Sequence, residues 1–291
     1  MTEINITNDR GIVPRQAGTD QQLVSLWLHG RPITTQRAYR SDMDRFLKFV
    51  GKELHVITLG ETQAFSDSLA TQTLQPSSCH RILSAVKSMF AFGHRIGYLP
   101  FDVAKPLRLP ALRDKLSERI LSEAEVQRML AMERHPRNHA ILYLLYASGV
   151  RVSECCALLW SDLQERHEGG QITICGKGSK THSVLLPTPV WSTLMSIRDD
   201  APDDAPVFRS RKNGPLHPSQ VLRIVKAAAR MAGIQRSVSP HWMRHAHASH
   251  ALDRGAPIHL VQATLAHSSI STTGRYLHAR PSDSSSRFLS L

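Results

Sequence analysis

Residues 99–118, LPFDVAKPLRLPALRDKLSE, hold three prolines and no helical periodicity. Proline fixes its own φ and pushes the residue before it toward extended backbone, so this stretch reads as an extended connection. It divides a chain of 291 residues, long enough for two domains and a sizeable core, into two separately built parts. The expected organisation is an N-terminal segment at 1–18 without regular structure, a helical domain at 19–98, the linker at 99–118, a second domain at 119–280 and a tail at 281–291.

The N-terminal part reads as four helices, near 20–29, 34–51, 61–72 and 76–97. In the second of these Thr35, Tyr39, Met43, Phe46, Leu47 and Val50 recur at helical spacing, with Thr34 as a candidate N-cap. In the fourth, Cys79, Ile82, Leu83, Val86, Met89 and Phe90 form an apolar stripe. Arg37, Arg40, Lys48, Arg81 and Lys87 fall on other faces, where they are candidates for contact with a phosphate backbone or for plain solvation.

The C-terminal part is mostly helical, with segments expected near 122–133, 137–148, 152–163, 188–198, 217–232, 240–253, 257–265 and 271–277. Ser122 and Glu125 have capping-box spacing, and Gly149 closes a nearly all-apolar run. The period changes once, in QITICGKGSKTHSVLLP, which reads as two strands around a glycine-rich turn. The fold class is therefore mainly α (α+β), a helical domain joined to a mostly helical one with a small antiparallel sheet.

Net charge is +12, which favours a polyanionic partner, nucleic acid first. The excess is +4 over residues 1–114 (14 basic, 10 acidic) and +8 over 115–291 (22 and 14), so it belongs to folded domains, not to a basic tail. No apolar run approaches the ~20 residues of a membrane span. The start, MTEINITNDRG, lacks a signal-peptide pattern, which leads to a cytoplasmic expectation. Cys79, Cys155, Cys156 and Cys175 have no CxxC spacing and read as buried, reduced thiols.

Three motifs carry candidate chemistry. Lys177 and Lys180 lie in Gly176-Lys177-Gly178-Ser179-Lys180, at the tip of the expected hairpin. This is not a phosphate-cradling GxxxxGK[ST] loop, and an isolated GKG is more often a solvent-exposed turn. Pro240 opens a helix whose His241 and Arg244, three apart, project from one face at an N-terminus that favours anions. His241 and His245 are four apart and could clasp zinc, but HExxH would need a Glu, and a third ligand is missing. His247 and His250 read as packing or solvated positions. The third motif, Leu265-Ala266-His267 through Gly274-Arg275-Tyr276, joins two short helices. Arg151 follows the apolar helix. Together these types suit one phosphodiester, since guanidiniums bind its charged oxygens, a lysine protonates a leaving alkoxide and a phenol attacks phosphorus.

The stretches ASGVRVSECCALLWSDL, ITICGKGSKTHSVLLP, SPHWMRHAHASHAL and LAHSSISTTGRYLH, in this order, resemble the tyrosine recombinase (phage integrase) family, Xer-type recombinases included. The resemblance covers residues 118–280 well. It covers the N-terminal half only in general character, as the core-binding domain with which such enzymes close a clamp around DNA. It implies that Arg151 and Arg244 bind the non-bridging oxygens, His267 adds a donor, Lys177 is the general acid, His241 the base and Tyr276 the nucleophile. Glu154 falls where an acidic residue often orients the first arginine. It further implies a 3′-phosphotyrosine intermediate reached without ATP, metal or other cofactor. The implied partners are double-stranded DNA carrying a specific site, and a homo-tetramer on two such sites, with a paralogue or accessory protein as an option. A segment near 281–291, with Phe288, Leu289 and Leu291, would dock on a neighbouring subunit. His182 stands where arginine is frequent, and Ala266 replaces a common glycine. The competing readings are a type IB topoisomerase-like relaxing enzyme and a catalytically idle DNA-binding protein on the same fold.

Overall fold

The computed structural model describes residues 16–175 and 181–279, and these fall into two compact units divided between Arg113 and Asp114. In the first unit the helices are α1 (Asp20–Leu28), α2 (Ile33–Val50), α3 (Leu59–Ala70) and α4 (Pro76–Arg95). Thr19 caps α1 and Thr58 with Glu61 forms a capping box on α3, so both starts use side-chain oxygens on orphan N–H groups. The start of α2 departs from expectation: the N-cap is Pro32, without a side-chain bond, and Thr34 lies inside the helix. Proline's preset φ takes the place of the threonine cap.

The core of this unit gathers Leu23, Trp27, Met43, Phe46, Phe65, Met89 and Phe90. Phe46 meets Phe65 and Phe90 edge-on, with centroids 5.0 and 5.9 Å apart, the geometry that aromatic quadrupoles favour. The proline-rich segment is anchored here over its first part. Leu99, Ala104 and Leu107 are buried in the core, and the Lys87 ammonium donates to the carbonyls of Lys105 (2.6 Å) and Leu107 (2.5 Å).

The second unit contains α5 (Glu123–Met132), α6 (Pro136–Ser148), α7 (Val152–Ala157), β1 (Leu163–Arg166), β2 (Gly169–Cys175) and β3 (Thr181–Leu186). It continues with α8 (Thr188–Met195), α9 (Pro218–Met231), α10 (Pro240–Asp253), α11 (Ile258–Thr264) and α12 (Ile270–Ala279). The strands form one antiparallel sheet in the order β1-β2-β3, with Ile172 opposite Val184 and Ile174 opposite His182. The sheet has a third strand beyond the expected two, and the helix expected over 152–163 is shorter. The helix stops at Ala157 because Asp162 caps the Leu159 N–H and the Trp160 N–H goes to the Ala205 carbonyl. That turn releases Leu163–Arg166 as the third strand, whose sequence LQER has no apolar alternation to announce it.

The main core of this unit is built on α6, buried along Ala140, Ile141, Leu142, Leu144 and Leu145, with Trp160, Ile172, Phe208 and Val225 around it. A separate cluster of Leu116, Ile120, Ala248, Val261, Leu265 and Tyr276 seats α12. Ser122 and Glu125 form the expected capping box. Gly149 ends α6 at φ +62°, a conformation glycine adopts without the Cβ penalty. Cys79, Cys155 and Cys156 are buried free thiols, but Cys175 is exposed, because it ends β2 at the open edge of the hairpin.

Candidate active site

The end of α6, the start of α7, the N-terminus of α10 and the turn after α11 meet in the second unit. Arg151 is the residue before α7. Its Nη1 donates to Glu154 Oε1 at 2.7 Å, while Glu154 Oε2 accepts the Arg151 backbone N–H at 2.7 Å. Glu154 thus holds both ends of the arginine, and its own side chain is only 8% exposed. Arg151 Nη2 reaches the Ala266 carbonyl at 3.5 Å, the long edge of hydrogen bonding.

Arg244, on the first turns of α10, is 5% exposed. Its Nη1 donates to the Gly149 carbonyl at 2.5 Å and its Nη2 to the Leu265 carbonyl at 2.6 Å. Two consecutive carbonyls, of Leu265 and Ala266, therefore point at two different arginines. The backbone accomplishes this with Ala266 at φ +48°, a left-handed position that costs a residue with a Cβ about 1–2 kcal/mol. The alanine noted in place of a glycine thus stands at the most strained point of the site.

Burial lowers the Arg244 guanidinium to about 10, helped by the Arg151 cation and opposed by Glu154 and Tyr276. It is charged at neutral pH all the same. A guanidinium has five N–H groups, and the inward bonds fix its plane while leaving others to face an anion.

His267 follows the strained turn. Its Nδ1 pairs with Thr273 Oγ1 at 2.9 Å, which fixes the ring from α12 and leaves Nε2 for another partner. Burial, then Arg244 and Arg151, lower it to about 4, so it is neutral at pH 7. His241 is exposed at the start of α10 and is also lowered, by desolvation first and then by the same two arginines. Arg151, Glu154, His182, Ala266 and His267 line a cleft of ≈ 880 Å³ together with Thr181 and the exposed Cys175. His182 reaches it from β3 and is lowered by desolvation, against the pull of Glu154.

Tyr276 is 5% exposed, and burial holds its phenol above the ordinary value while Arg244 and Arg275 pull it down. Its hydroxyl lies 2.8 Å from His245 Nδ1. His241 is one ring further away, stacked on His245 at 6.4 Å between centroids. His245 thus meets a phenol across helices and is not half of a zinc pair with His241. Its signal was the spacing of four from His241 on one helical face. Among the described residues no group of three or more His, Cys, Asp or Glu side chains is placed to hold a metal.

The structure thus brings Arg151, Glu154, Arg244 and His267 together, with His241 and Tyr276 on the adjoining faces of α10 and α12. Lys177 and Lys180 lie outside the described residues. Of the candidate DNA contacts in the first unit, Arg37, Arg40 and Lys48 are exposed along α2. Arg81 is ion-paired to Asp42, itself 4% exposed, and Lys87 is committed to the two carbonyls above. A basic surface not singled out from the sequence is the cleft of ≈ 800 Å³ lined by Arg223, Lys226, Arg230 and Arg236. The spacing of 223, 226 and 230 on α9 was its signal, and the Glu125 carboxylate already engages Arg236 at 2.6 Å.

The phage integrase family profile matches residues 119–283, and the phage integrase N-terminal SAM-like domain profile matches residues 29–97. The tyrosine recombinase XerD of Pseudomonas aeruginosa is 34% identical over 278 residues, covering 89% of this chain and 91% of the relative. A tyrosine recombinase of Thermosipho africanus is 30% identical over 252 residues, 84% and 88% of the two chains. In fold, the chain is similar to the XerH site-specific recombinase in a post-cleavage complex on palindromic difH substrate (TM-score 0.74, 21% identity, covering 90% and 82%). It is equally similar to a lambda integrase dimer bound to a COC′ core site (TM-score 0.74, 17% identity, covering 92% and 80%).

Proposed function

Because the chain belongs to the phage integrase family and is a tyrosine-type site-specific DNA recombinase, we propose that its own residues divide the strand-exchange reaction as follows. Tyr276 attacks the scissile phosphorus, the P–O5′ bond breaks, and the DNA 3′ end becomes linked to the phenolic oxygen. His241, neutral at physiological pH, accepts the phenolic proton, and Lys177 gives one to the departing 5′-oxygen. Arg151 and Arg244 bind the two non-bridging oxygens and His267 adds a donor. Each preorganised donor of this kind contributes on the order of 3–4 kcal/mol to the transition state. Glu154 keeps Arg151 in place. The reverse step, with the 5′-hydroxyl of a partner duplex as nucleophile, exchanges strands. One phosphodiester replaces another, so the bond energy is conserved without ATP, and side-chain cations supply the charge that the phosphate needs.

The observation that carries this reading is the pair of adjacent carbonyls, Leu265 and Ala266, each engaged by one of the two arginines beside His267. It holds two cations at fixed separation with N–H groups to spare. DNA contacts fall to the exposed Arg37, Arg40 and Lys48 on α2, to Lys180, and to the α9 surface, with Arg81 and Lys87 sharing their charge between protein and phosphate. A homo-tetramer on two DNA sites is the working assembly, in the cytoplasm at the nucleoid.

The test begins with DNA trapped covalently on the protein in cells and recovered under denaturing conditions. A nicked duplex of the recovered sequence then serves as substrate. Tyr276→Phe is expected to bind it as the parent does and to leave it uncut. Recovery of no adduct from cells, or cleavage by Tyr276→Phe, would overturn the assignment.

A further inference from the structure

We infer that His245 is a positioning residue for the nucleophile, tying the Tyr276 hydroxyl to the helix that carries His241 and Arg244. The inference rests on the assignment of Tyr276 above. It concerns a side chain to which that assignment gives no role.

His241, Arg244 and His245 occupy one face of α10, at spacings of three and four. One turn further on, Ala248 is buried in the same apolar cluster as Tyr276. An alanine there lets the phenol ring lie close against α10, and its hydroxyl then meets His245 Nδ1 at 2.8 Å with the rings 5.8 Å apart. The rest of that cluster, Leu116, Ile120, Val261 and Leu265, offers no polar side-chain atom. A buried hydroxyl without a partner is costly, so the histidine decides where the oxygen rests. Along α12, Thr273 is three residues before Tyr276 and bonds His267. Two hydrogen bonds, one to each histidine, therefore aim the same face of α12.

The contact suits holding better than proton transfer. His245 faces His241, Arg119 and Arg244, and Arg275 of α12, and burial followed by these charges lowers it to about 4. The phenol is shifted the other way. Moving the proton across would place a cation and an anion where burial disfavours both. A neutral imidazole accepting from a neutral phenol has no such cost. His241, more open to solvent, remains the group that takes the proton. What His245 contributes is register: nucleophile, base and Arg244 move as one body. Displacement of a reacting atom by ~1 Å is enough to slow such a step ~100-fold.

The experiment compares His245→Leu, which keeps bulk and removes the acceptor, with His245→Asn, whose side-chain oxygen sits about where Nδ1 sits. Both are measured on the nicked duplex for affinity and for the single-turnover rate of covalent complex formation. Both are also labelled with 3-fluorotyrosine. The chain has five tyrosines, and the Tyr276 fluorine resonance is assigned by its loss in Tyr276→Phe. The expected result is unchanged affinity in both variants. The Leu variant should be slower by about 10- to 100-fold with a shifted Tyr276 resonance, and the Asn variant should regain both rate and resonance. Cleavage by the Leu variant at or above the parent rate would overturn the inference. So would Leu and Asn variants equally slow, since that marks a merely structural side chain. If the Leu variant does not fold, His245→Ala takes its place with the same outcomes. Failure of the parent to form any adduct would sink the nucleophile assignment instead, so the two failures are distinguishable.

Discussion

Replacing Gly149 by alanine should damage the site from a distance. The residue ends α6 at φ +62°, and a Cβ there would lie 2.6 Å from Leu265 Cδ2 and 2.9 Å from His247 Cδ2. The left-handed backbone costs an alanine about 1–2 kcal/mol. The stiffer unfolded chain returns about 0.4–1 kcal/mol of that. The overpacked methyl adds about 1–3 kcal/mol, because Leu265 is fully buried and His247 is tied to the Tyr146 carbonyl. The sum is a destabilisation of about 1–5 kcal/mol. Leu265 and Gly149 are also the two residues whose carbonyls hold Arg244, so the same methyl displaces the guanidinium. Urea unfolding followed by tryptophan fluorescence reports mainly on the second unit, which has Trp160, Trp191 and Trp242 against Trp27 in the first. Single-turnover cleavage of the nicked duplex should fall by at least about tenfold at a temperature where the variant is folded, the equivalent of ~1.4 kcal/mol. Stability within about 0.5 kcal/mol of the parent, together with full cleavage, would refute the reasoning.

Thr273→Val keeps the shape of α12 and removes the partner of His267 Nδ1. Cleavage should slow about five- to tenfold with unchanged DNA affinity, since one such bond contributes about 1 kcal/mol. Ala266→Gly should relieve the φ +48° strain and raise stability by up to about 1 kcal/mol in the same urea assay. His247, held near 4 by burial, binds a proton more weakly folded than unfolded. Its contribution to stability is therefore complete above pH 6.5 and lost as pH falls toward 4, on the order of 3 kcal/mol in all. His247→Gln should flatten that part of the stability–pH profile. Lys177→Ala should slow cleavage at a normal 5′-oxygen far more than at a 5′-thio leaving group, which needs little protonation, in side-by-side single-turnover rates.

The helices were legible where one face was apolar or an end was marked. The stripe from Cys79 to Phe90, the Ser122–Glu125 box and the left-handed Gly149 all write their structure locally. What escaped depended on partners distant in sequence. The break after Ala157 is made by Asp162 and by the carbonyl of Ala205, and neither leaves a trace in the periodicity of 152–163. Pro32 set the start of α2 where a threonine cap was expected, because a preset φ needs no side-chain acceptor. The arginines and His267 stood out as residue types in order. Their inward bonds to main-chain carbonyls did not, since carbonyls carry no sequence identity. The contact of His245 with Tyr276 left no local signal, because its partner lies 31 residues away on another helix. Cys175 was expected inside because free thiols usually are, but it falls where β2 emerges at the hairpin.

The account is tested most directly by the chemistry of the trapped DNA ends. Proteolysis of the covalent complex should leave one DNA-linked peptide, and it should contain Tyr276 joined to a 3′-phosphate. The opposite strand end should carry a 5′-hydroxyl that a kinase labels without prior phosphatase treatment. A DNA-linked peptide lacking Tyr276, or linkage through a 5′-phosphate, would contradict the account.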